Sequence, residues 1–115
     1  MSTVYDKKTF VKIFDSFRVH DEIAEIIKFF LSSENDLMFT LYISPYDEYA
    51  VVMLKKKGVV RWIFDVCVEN LDSIVYEESS LKFYRKDGLG EPAMVVVLEP
   101  AISLSCYAVG PEGKP

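Results

Sequence analysis

From Leu37 to Val66 the chain carries long runs of alternating apolar residues, and alternation is what a half-buried β-strand requires. Leu37, Phe39, Leu41 and Ile43 fall on one face; Ala50, Val52 and Leu54 share a side of the next segment; Val60, Trp62, Phe64 and Val66 share a face of the third. Ser44-Pro45-Tyr46-Asp47-Glu48 and Lys56-Lys57-Gly58 place turn-forming residues between the segments. The pattern predicts three consecutive antiparallel strands in a meander.

The reverse side of these strands carries Met38, Thr40 and Tyr42, then Tyr49, Val51 and Met53, then Val59, Arg61 and Ile63. A sheet open to water on one side normally turns polar residues outward, whereas this side is half apolar. The expectation is a cover: a helix, the C-terminal strands or a second subunit. Eight Phe, seven Tyr and one Trp in 115 residues point the same way, being more aromatic surface than a small one-sided sheet uses.

Upstream, Asp6 reads as a helix N-cap, and Phe10, Ile13, Phe14 and Phe17 recur at helical spacing. Ile23, Ile26, Ile27, Phe30 and Leu31 do the same. In one straight helix the step from Phe10 to Ile23 would rotate the apolar face by about 220 degrees, at roughly 100 degrees per residue. A break near Arg18 to His20 follows, with Asp21 and Glu22 at the start of a second helical segment. Downstream, Glu69 to Glu78 fits a helical turn or a strand. Leu81 and Phe83 form a short strand whose Lys82 marks an edge, and Asp87 to Pro92 is a loop. Met94 to Leu98 is an apolar strand, Pro100 interrupts, and Ile102 to Val109 resumes the alternation. The fold class expected is α+β: an N-terminal kinked helix or helical hairpin packed on an antiparallel sheet of five to six strands. Residues 1–110 form one domain and 111–115 a disordered tail.

The sequence carries no signature of catalysis, metal binding or a cofactor. His20, the sole histidine, stands beside Asp21 and Glu22 without a nucleophile fixed near it. The Gly88 to Gly90 loop lacks the Lys-Ser or Lys-Thr of a phosphate loop. Cys67 and Cys106 sit in apolar strand-like contexts and match no zinc or redox spacing. No apolar run approaches a membrane span and no signal peptide is visible, so a cytoplasmic protein is expected. The leading functional expectation is a non-enzymatic interaction protein that homodimerises, or binds another protein, through Tyr42, Tyr49, Val51, Met53, Arg61 and Ile63. The alternative is a small-ligand or weakly enzymatic site in a pocket between the N-terminal helices and the sheet, lined by Tyr42, Trp62 and His20. A third is single-stranded nucleic-acid binding through Lys55, Lys56 and Lys57 with Lys82, Arg85 and Lys86. The formal net charge of -5 disfavours it.

Overall fold

A computed structural model describes residues 3–33 and 36–107. Among them, one helix and ten strands follow in the order β1 (Val4–Tyr5), α1 (Lys7–Ile13), β2 (Ser16–Asp21), β3 (Ile26–Ser32), β4 (Leu37–Ser44), β5 (Tyr49–Lys56), β6 (Trp62–Val68), β7 (Leu71–Glu77), β8 (Ser80–Arg85), β9 (Pro92–Val97) and β10 (Ser103–Cys106). The strands form two five-stranded sheets, β2-β3-β4-β5-β6 and β1-β7-β8-β9-β10, here called sheets I and II. Sheet I is a pure antiparallel meander; in sheet II all pairs are antiparallel except β1, which runs parallel to β7.

One hydrophobic cluster joins the sheets. Ile27, Phe29, Phe39, Leu41, Ile43, Val52 and Leu54 from sheet I pack with Ile74, Leu81, Phe83, Met94 and Val96 from sheet II. The architecture is therefore a two-layer β-sandwich, each sheet contributing every second residue to the space between. Thr3 ties the layers where they meet: its amide donates to the Pro45 carbonyl and its hydroxyl to that of Leu71, while the Leu71 amide donates to Glu48. Helix α1 begins where Asp6 accepts hydrogen bonds from the Thr9 amide and hydroxyl, which hold the Asp6 carboxyl below its ordinary range. The helix presses Phe10 and Phe14 onto Phe29 from the inner side.

The expected helical hairpin on a single sheet of five to six strands is not what forms. Only Lys7–Ile13 is helical; Ser16–Asp21 and Ile26–Ser32 are paired strands. The backbone turns extended at Phe14, and Phe17 leaves the helical stripe to lie half-exposed on β2. Ile26 to Leu31 is apolar at every position but Lys28, so it satisfies a helical spacing merely by being dense; its β-branched and aromatic residues suit a strand apolar on both faces. Asp21 starts a turn instead of a helix. Its Oδ1 accepts from the amides of Ile23 and Ala24, and Glu25 closes the turn in the left-handed region.

Two strand readings also change. Leu54 pairs with Phe64 but Lys55 with Trp62, leaving Ile63 as an extra residue in a bulge that puts Trp62 on the face opposite Phe64. Val60 and Trp62 are accordingly exposed. Strand β8 lies inside its sheet between β7 and β9, so Lys82 marks no edge; it pairs with Glu77 on the neighbouring strand. Glu69 to Glu78 resolves as strand β7, driven by pairing with β8. The segment 111–115 lies outside the described residues.

Candidate interaction surface

Because side chains alternate along a strand, burying Leu41, Ile43, Ala50 and Val52 inside sends Tyr42, Tyr49 and Val51 to the other side of sheet I. Registration of β3 to β6 completes this outer face. Phe30, Thr40, Met53 and Asp65 form one row across the strands, and Lys28, Tyr42, Val51 and Cys67 form the next. Helix α1 and sheet II both pack on the inner side, so among the described residues neither of the covers expected within the chain lies over this face. Thr40, in the middle between its registered neighbours Phe30 and Met53, is 3% exposed.

Charged side chains edge the face on both sides. Arg18 on edge strand β2 stands directly opposite Lys28 on β3, a like-charge pair that costs stability unless an anion approaches. On the other edge strand, β6, Asp65 shares the outer face, and Asp65 and Glu69 sit close enough to Cys67 to add to the upward push that burial gives its thiol. Both margins are mixed, however: Asp21 shares β2 and this face with Arg18, and the Lys55 ammonium lies over Trp62 on the side of Asp65.

At the end of the face nearest the turns, rings gather. His20 lies 5.7 Å from Tyr42, and Tyr42 stacks on Tyr49 at 6.0 Å with an interplanar angle of 24°. The Tyr42 phenol is pushed up by burial first, then by Tyr49, then by the charges of Asp47 and Asp21. The Tyr46 hydroxyl donates to Glu25 at 2.6 Å, joining the turn that follows β2 to the turn that follows β4. Within the second turn the Ser44 hydroxyl donates to Asp47 Oδ2.

Searches of known protein families, characterised proteins and solved structures returned no match to this chain.

The residues singled out from the sequence separate into distinct places. Tyr42, Tyr49, Val51 and Met53 do share a face, while Ile63 is the exposed bulge residue and Arg61 lies just before β6, also exposed. His20 and Tyr42 come together, but Trp62 does not join them; it stands beyond Met53 under the Lys55 ammonium, 5.2 Å from the ring centre. The helical wall of the expected ligand pocket is absent, since residues 16–21 and 26–32 are strands, and Phe14 and Ile27 are buried in the common core. A cleft of about 300 Å³ bounded by Leu31, Ser33, Leu37, Leu98 and Ile102 lies at the opposite end of β3 from His20. The two basic clusters do not converge either. Lys55 to Lys57 end β5, whereas Lys86 bonds Glu48 at its start, about 25 Å away at 3.4 Å per residue. Lys82 and Arg85 are paired with Glu77 and Asp87.

Sequence reading missed Phe30, Arg18, Lys28 and Asp65 as members of the face. Each depends on which strand stands next to which, and Asp65 also on the phase after the bulge; only the alternation of Asp65 against Phe64 and Val66 was a local signal.

Proposed function

We propose that this protein is a non-enzymatic interaction module that self-associates through the outer face of sheet I. The observation carrying this reading is the face itself, apolar along its middle at Phe30, Tyr42, Val51 and Met53 and edged by Arg18 on β2 and Asp65 on β6. A twofold axis running along the central strand β4 would lay β2 of each copy over β6 of the other. Arg18 would then face the partner copy's β6 with Asp65, Val51 and Met53 would meet Lys28 and Phe30 on the partner copy's β3, and Tyr42 would lie at the axis. Such a face is self-complementary, as an isologous dimer demands. Five strands about 4.8 Å apart and roughly 25 Å long offer about 600 Å² per copy, hence about 1,200 Å² in all, the lower bound of specific interfaces.

The test is absolute mass by light scattering over a hundredfold concentration range, on the native chain and on Met53→Glu. The native chain is expected to be dimeric at micromolar concentration. Met53→Glu, which places a carboxylate in the apolar centre, is expected to be a folded monomer. A native chain that stays monomeric, or a Met53→Glu chain that stays fully dimeric, overturns the reading.

A further inference from the structure

Between the inner faces of the two sheets, at the end of the sandwich away from His20, lies the cleft of about 300 Å³. Leu31 and Leu37 of sheet I form one wall, and Leu98 and Ile102, in the connection from β9 to β10, form the other. All four pack against the common core, so the floor is apolar. One lining residue departs from this. The Ser33 hydroxyl oxygen is buried, and among the described residues it is the one buried side-chain oxygen or nitrogen without a hydrogen-bond partner. A hydroxyl cut off from water with nothing to bond costs stability, and an unmatched one at the wall of a cleft is accounted for by a ligand that supplies the match. Glu99 also lines the cleft and Lys56 is registered opposite Leu37, so charges of both signs stand near it and neither sign of ligand is favoured. The volume is about twice that of an engineered apolar cavity that takes up benzene, which leaves room for a chain of about six to eight carbons.

We propose that this cleft binds a neutral aliphatic alcohol, its chain against Leu31, Leu37, Leu98 and Ile102 and its hydroxyl hydrogen-bonded to Ser33 Oγ. A hydroxyl both donates and accepts, so ligand and serine match each other in either sense. Burial of the chain supplies most of the affinity, and the hydrogen bond decides which end of the ligand lies at Ser33. The cleft lies between the sheets, whereas self-association uses the outer face of sheet I. The site therefore extends beyond that reading and does not rest on it.

The probe is 1-hexanol, titrated into the full chain carrying ¹³C-labelled leucine and isoleucine methyls. The expected result is saturable movement confined to the methyls of Leu31, Leu37, Leu98 and Ile102, with a dissociation constant of order millimolar. The same result is expected on Met53→Glu, which keeps this test separate from that of the dimer. 1-Butanol, two methylenes shorter, should bind about tenfold more weakly. Ser33→Ala removes a hydroxyl that has no partner in the free chain, so its thermal midpoint should be no lower than the native one, while 1-hexanol should bind to it about fivefold more weakly. Movement that does not saturate by about 30 mM, or that extends to the exposed Ile23 and Ile63, overturns the proposal. So does a Ser33→Ala chain that binds 1-hexanol as tightly as the native chain, or one whose midpoint falls.

Discussion

Phe29 is fully buried and meets four other rings, those of Tyr5, Phe10, Phe14 and Phe17, at 5.2–6.3 Å. It packs β1 and α1 onto sheet I, so Phe29→Ala should cost about 3–5 kcal/mol, read as a lowered denaturation midpoint with unchanged slope. Tyr5 beside it is pushed up to about 12 by burial and by the charge of Glu25. The folded chain therefore keeps a proton that the unfolded chain, with a phenol near 10, gives up first. Stability from this group is whole below pH about 10 and declines as pH rises through about 12. Tyr5→Phe should flatten that alkaline decline in denaturation curves taken across the interval; an unchanged decline would show that Tyr5 is not its source.

At the level of elements, the β7–β8 hairpin turns through Glu78 and Ser79, both in the left-handed region at φ 53° and 60°. This is the geometry of a two-residue primed turn, for which Asn-Gly is the preferred chemistry. Glu78→Asn with Ser79→Gly should raise stability by about 1 kcal/mol, measured as an upward shift of the thermal midpoint. Legibility in the sequence followed the same local logic. Strand β4 was readable because Leu37 to Ile43 alternates with less apolar neighbours such as Thr40 and Tyr42, and β5, though apolar on both faces from Ala50 to Leu54, was readable from the turn residues that bound it at Ser44 to Glu48 and Lys56 to Gly58. Strand β3 was not, because a run apolar on both faces satisfies periods of 2 and 3.6 alike. Strand β6 was readable in kind but wrong in phase before Ile63, since a bulge leaves no mark in composition. A second sheet opposite the first was hidden because the edge pairing of β7 with β1 is made across nearly seventy residues and no local pattern shows that β7 to β10 leave the first sheet. The apolar outer face was legible by elimination, while its charged margins required strand order.

For the whole molecule, the sandwich buries one face of each sheet and leaves sheet I with a second surface that resembles an interior more than an exterior along its centre. In the proposed dimer Asp65 on β6 faces Arg18 on the partner copy's β2, which would make association sensitive to charge. Asp65→Lys should weaken the proposed dimer by about tenfold, because the introduced ammonium would repel Arg18 of the other copy, and the effect should shrink as salt is raised. Light scattering at low and high ionic strength reads both. The most direct test of the interface is a sample mixed from equal parts of isotope-labelled and unlabelled chain, examined for nuclear Overhauser contacts between copies. Contacts from the Val51 and Met53 methyls of one copy to Lys28 and Phe30 of another, and between the two Tyr42 rings at the axis, are predicted. Contacts found only on the outside of sheet II or along the free edge of β2, or none between copies at concentrations where the mass is that of a dimer, would contradict the account.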